Sequence, residues 1–274
     1  MIVREPCLPP GWYPGQKAKI EEFLAPFSQS AHSQAAIAPH AGWFYSGLPA
    51  AMAVSSLDRE AGTVAVIGGH LPAGMPVLAA EEEGARTPFG IMKIDTELRD
   101  EFSKSVSARP DRYRDNTVEV LLPMVHYFFP HSQLLWLRFP AEISSFDAGK
   151  LLAGAANRLG RRLAVLASTD LTHYGDNYDY SPMGRGKAAL DWVKNVNDAA
   201  FISAVLEGDP SGALKHAEDH YSSCSAGAVL GAMGFCSASG KFNARLLDYR
   251  TSADVADDGI PDSFVGYAAI TIGE

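Results

Sequence analysis

The amino-acid sequence predicts an α/β fold: one domain over residues 1–274, with a mostly parallel or mixed central sheet and helices on both faces. Three observations predict it. Short apolar runs bounded by Gly, Pro or Ser recur along the chain. Stretches with helical patterning separate most of them, as in sheets whose two faces are both covered. No repeat, low-complexity tract or long linker divides the 274 residues, and the one linker-like stretch, acidic SADVADDGIPDS, is short.

Strands are expected at 64–67, 134–137, 163–166, 245–249 and 265–272, with a shorter run ending at Ile37 and Ala38. Between them, SGLPAAMAVSSL reads as a helix capped by Ser46, and TELRDEFSKSV as a helix capped by Thr96. SSFDAGKLLAGAANRLG reads as a helix stopped by Gly160, and residues 186–208 as one long helix or two joined at 195–198. MPVLAAEEEGARTPFGIMKID breaks the alternation, and its Gly/Pro turn between two short alternating segments predicts a hairpin.

Composition narrows the function. With 23 basic and 32 acidic residues the formal charge is −9, which disfavours a nucleic-acid partner and favours cations or small substrates. Three scattered cysteines, Cys7, Cys224 and Cys236, do not make a disulfide framework and point to a reducing, cytoplasmic setting. No run approaches membrane-spanning length, so no membrane partner is expected. G-x-S-x-G, the P-loop, C-x-x-C and a strand-linked G-x-G-x-x-G are absent.

The chemistry concentrates at strand ends. In IAPHAGWFYSG an apolar run meets Pro39 and then His40; AVIGGHLP repeats the pattern with His70; STDLTHYG sets Asp170 and His173 beyond a third run. Parallel strands bring their carboxyl ends to one crevice, so these four residues can share a pocket. Two imidazoles and an anionic donor suit iron(II) or zinc. In SSCSAGAVLGAMG, Cys224 stands at the expected start of a helix, where a thiolate is stabilised. Cys7 and Cys236 read as ordinary packing residues. So do His126 and His131 beside the aromatic run YFFP, and His216; His220 lies close enough before Cys224 to approach the site.

PHAGWFYSG, the His70 segment, VEVLLP, STDLTHYG, Cys224 with SAGAV, and DYRTSADV followed by SFVGYAAI together resemble the Memo (mediator of cell motility) family, whose microbial members are also called AmmeMemoRadiSam system protein B. The resemblance implies a fold similar to class III extradiol dioxygenases, with a pocket at one sheet edge. It implies that His40, His70 and Cys224 match the metal positions and that Asp170 and His173 match the acidic and acid/base positions beside them. Leu121 and Asn116 stand where family members carry histidines, and Gly68-Gly69 replaces a Pro-Ser type turn, so ring cleavage is less expected than the fold alone suggests. Glu119 is expected to orient a ligand histidine from behind the site. The functional expectation is a mononuclear metal pocket, Fe2+ first with Cu or Zn as alternatives, acting as a dioxygenase-like redox enzyme on a small aromatic substrate. The alternative is a non-catalytic metal- or peptide-binding protein; a zinc hydrolase ranks third, since no carbonyl-binding motif accompanies the donors.

Overall fold

In the computed structural model, residues 1–27, 32–238, 240, 242–256 and 259–273 are described; Asp257 and Asp258 of the acidic stretch fall outside them. Four mutually parallel strands form the centre of the main sheet, side by side in the order Ala35–Ala38, Leu163–Ser168, Thr63–Leu71 and Gln133–Pro140. Ser263–Ile272 adds antiparallel to Ala35–Ala38 and pairs in turn with His173–Gly175 and Ala244–Thr251. The sheet is therefore mixed, as expected.

Alternation along the strands divides the core in two. Ile37, Ala65, Ile67, Leu135, Leu137 and Val165 face one side, whereas Ala36, Val64, Val66, Leu134, Trp136 and Leu166 face the other. Every side chain of these pairs is nearly or fully buried, so both faces of the pleat are covered. Helices Ser144–Arg158 and Ala226–Ser237 share the first side; Trp43–Ser56 and Leu122–Phe128 share the second. The two first-side helices touch backbone to backbone. A Cβ on Gly149 would be driven into the carbonyl oxygen of Gly231, and one on Gly234 into that of Phe146. The small residues after Cys224 thus let its helix sit deep against a neighbour.

The predicted strands are all present, most of them longer than read. The hairpin is also present: Gly84–Thr87 pairs antiparallel with Gly90–Lys93. It belongs to a separate three-stranded sheet completed by Val3–Arg4. Two caps move. The helix containing Ser46 begins at Trp43 behind Gly42, and the Ser46 hydroxyl donates to the Ala41 carbonyl at 3.0 Å. Asp95, not Thr96, caps Thr96–Ser103, because a carboxylate reaches Leu98 N–H at 3.0 Å while also accepting from the Thr63 hydroxyl at 2.7 Å. The long helical stretch is continuous from Lys187 to Leu206, with a π-helical turn at Val193–Asn197 where the join was expected. Asn197 faces inward there, donating to the Thr172 hydroxyl and the His220 carbonyl. Among the described residues no helix is long and apolar enough to cross a membrane.

Candidate metal centre

The parallel strands explain why residues far apart in sequence meet. Ala35–Ala38, Leu163–Ser168 and Thr63–Leu71 are neighbours running the same way, so His40, Asp170 and His70 emerge at one edge of the sheet. His40 is almost completely buried. Its backbone N–H donates to Asp170 Oδ1 at 2.6 Å, and its Nδ1 lies 2.8 Å from the Ser168 hydroxyl. Nε2 then points to Cys224 Sγ, 3.2 Å away, with Asp170 Oδ2 at 3.9 Å. Asn116, at a position where a histidine was expected, donates its amide to the His40 carbonyl at 2.9 Å; it supports the strand end instead of supplying an imidazole.

His70 stands in left-handed backbone, φ 56°, a conformation costly for a non-glycine residue. The two glycines before it make this approach feasible. A side chain on Gly68 would meet Thr117, and one on Gly69 would meet Ser225. His70 Nδ1 lies 3.0 Å from Asp115 Oδ2, which Arg138 also approaches at 3.2 Å, while the Thr117 backbone N–H donates to Asp115 Oδ1 at 2.9 Å. Arg138 in turn donates twice to the Gly69 carbonyl, at 2.8 and 2.9 Å. Asp115 therefore orients His70 from behind, a common device of metal-ligating histidines. Sequence reasoning missed it. The available signal was Arg138 itself, a cation inside the apolar strand QLLWLRFP that required buried anionic partners.

Cys224 lies two residues before the helix Ala226–Ser237, whose N-cap is Ser225. Its backbone N–H donates to the Asp170 carbonyl at 3.2 Å, and Thr169 ties the same loop through Ser223 and the Ser225 N–H. The loop is thus fastened to the strand end that carries Asp170. The donor atoms of His40, His70 and Cys224 all lie within 4.8 Å of one another. Donors at about 2.0–2.3 Å from one ion sit roughly 3–4 Å apart, so the cluster fits a single metal with small adjustment. The three groups also tune one another. Burial alone would raise the Cys224 thiol, but the His40 and His70 imidazoles hold it well below its ordinary range. Burial alone would lower His70, but the hydrogen bonds to Asp115 and Cys224 push it up to about 10. Asp115 stays well below the usual carboxylate range despite burial, because His70, Thr117 and Arg138 all favour its anion.

Asp170 and His173 line a cavity of about 920 Å³ that also exposes His40 and His70. Phe44, Tyr45 and Tyr178 give it aromatic walls. Asp170 is buried and committed to His40, and burial raises its carboxyl against the opposing charge of His40. His173 turns Nδ1 to the Leu171 carbonyl at 3.1 Å and sets its ring edge-on to Tyr178, at 4.9 Å and 84°. With that tautomer Nε2 remains available to a cavity occupant.

Glu119 does not orient a ligand histidine; that expectation is corrected. Its carboxylate accepts from the backbone N–H of Cys7 at 2.8 Å, the N–H of Leu8 at 3.0 Å and the Tyr13 hydroxyl at 3.2 Å. It staples the N-terminal segment, whose Trp12 reaches the cavity wall. Leu121 is a buried core residue. Of the remaining histidines, His126 pairs with the Thr87 hydroxyl at 2.6 Å and His131 is exposed. His216 binds the Ser222 hydroxyl at 2.7 Å and packs at a tilt of 40° against His220, which contributes no donor to the cluster.

Comparison with known proteins follows the same lines. The family model described as Memo-like protein matches residues 4–271. A MEMO1 family protein of Archaeoglobus fulgidus is 30% identical over 282 residues, covering 98% of each chain. One from Pyrococcus abyssi is 29% identical over 293 residues, covering 99% of each. An uncharacterized protein of Escherichia coli K12 with a crystal structure has the same kind of fold, at a TM-score of 0.53 and 13% identity over 88% of this chain and all of that one.

Proposed function

Because the chain belongs to the Memo-like family and converges two imidazoles and a thiol on one point, we propose that it is a metalloprotein with oxidoreductase chemistry on a small organic substrate. The single observation that carries the reading is the donor cluster, whose two histidines line an aromatic-walled cavity. His40, His70 and Cys224 would hold the ion. Two imidazoles and a thiolate suit iron, copper or zinc, and we rank iron(II) first, following the dioxygenase-like resemblance. A bound redox metal would supply Lewis acidity and electron transfer to a coordinated substrate oxygen.

The other residues do work of their own. Asp115 and Ser168 occupy Nδ1 of His70 and of His40, so that both Nε2 atoms face the cluster. Asp170 fixes the His40 backbone and sets its second carboxyl oxygen 3.9 Å from His40 Nε2. His173 Nε2 is positioned to take a proton from a substrate hydroxyl in the cavity. The walls Phe44, Tyr45 and Tyr178 favour a planar, apolar body and exclude water from it.

The test is elemental analysis of protein purified without oxygen, comparing wild type with His40→Ala and Cys224→Ala. Near-equimolar metal lost in both variants is expected, with the element identified directly. Metal-free wild type after anaerobic loading with iron, copper and zinc in turn would overturn the reading and favour a peptide-binding role for the cavity.

A further inference from the structure

Behind the wall formed by His173 and Tyr178 lies a second cavity of about 510 Å³, which Cys224 lines while the first cavity does not. Three tyrosines stand around it: Tyr178, Tyr180 and Tyr221. Tyr178 and Tyr221 are exposed, Tyr221 to 66%, so burial in the core does not account for their rings. The rings meet at steep angles. Tyr180 and Tyr221 lie 5.1 Å apart at 61°, and Tyr178 meets His173 at 84°. Steeply angled faces around one space form the walls of a box. Asp179 adds a carboxylate, and no Lys or Arg lies among the lining residues.

Electron-rich ring faces, one carboxylate and no competing cation form a chemical combination that attracts an organic cation. An anionic ligand would find no donor cation there. A purely neutral apolar ligand would gain nothing from Asp179. The chain's net charge of −9 adds a favourable long-range field. We propose that this second cavity is a binding site for an alkylated ammonium group. The inference goes beyond the metal reading, since the cage is built from rings and a carboxylate that hold no metal.

The experiment is calorimetric titration of the whole chain with choline chloride at constant ionic strength, paired with 3,3-dimethylbutanol, its uncharged carbon isostere. Saturable choline binding is expected, with the isostere about two- to fivefold weaker, the size of a cation–π preference at a partly exposed site. Tyr221→Leu and Tyr180→Leu should each weaken choline about two- to fivefold, while Tyr221→Phe, which keeps the ring, should stay within about 1.5-fold. Tyr221 is exposed, so its variants test the cage without a folding penalty. Phe44→Ala, on the first cavity, should leave choline affinity unchanged. The proposal fails if wild type shows no saturation, if the isostere binds equally well, or if Phe44→Ala abolishes binding while Tyr221→Leu does not. All titrations are done on metal-free protein, so a negative result leaves the donor cluster unaffected.

Discussion

Asp198 offers a sharp test of the electrostatics behind the sheet. It is fully buried, with the Thr172 backbone N–H at 3.1 Å, the Thr172 hydroxyl beside the same oxygen, and the Tyr249 hydroxyl at 2.8 Å on the other. Among the described residues no ion pair joins it to a Lys or Arg. Burial pushes its carboxyl up to about 6, despite the three donors that favour the anion. In the unfolded chain an aspartate titrates near 3.9, so the native state holds a proton that the unfolded state has already released between about pH 4 and 6. Stability from this group is fully present below that window and is lost as pH rises through it. A shift of about two pKa units corresponds to roughly 3 kcal/mol. Asp198→Asn retains a carbonyl for Thr172 and an amide for Tyr249, and it has no charge to bury. Urea denaturation at pH 4, 5, 6 and 7 should show the variant gaining on wild type as pH rises, by up to about 3 kcal/mol at pH 7. Parallel pH profiles for the two proteins would refute the reasoning, as would wild type gaining on the variant.

Two further outcomes follow from packing and from the N-terminal staple. Gly149→Ala forces a methyl into the Gly231 carbonyl and should cost about 3 kcal/mol by denaturation midpoint, whereas Gly154→Ala, which meets only the flexible tip of Arg158 at 3.4 Å, should be neutral or slightly stabilising. Glu119→Ala removes the acceptor for Cys7, Leu8 and Tyr13 and should speed limited proteolysis within residues 5–16, while Glu119→Gln, which keeps one oxygen, should have an intermediate effect.

Much of the architecture was legible because its signals are local. Each central strand is an apolar run closed by a turn residue, and His40, His70 and Asp170 sit just where such runs end. The hairpin announced itself through its Gly/Pro turn. Cys224 was harder, since its place depends on a loop tied to Thr169 and Asp170 more than fifty residues earlier. What stayed hidden was the partner of each buried charge. Nothing around Asp115 points to His70 or Arg138, and nothing near Glu119 points to backbone N–H groups 111 and 112 residues away. Capping was misplaced by one residue at Thr96 for a simpler reason, since Asp95 and Thr96 are both competent caps and tertiary contact with Thr63 chose between them.

His40 and Cys224 lie 184 positions apart along the chain, and His70 reaches them only through the pairing of parallel strands. Such long-range pairing is closed late and slowly. The donor cluster is therefore a reporter of completed assembly: helices and the separate hairpin can form while the three donors are still far apart. In refolding, metal capture should lag the recovery of helical signal, and an ion added early has no three-donor site to find until the sheet has zipped from Ala35–Ala38 across to Thr63–Leu71.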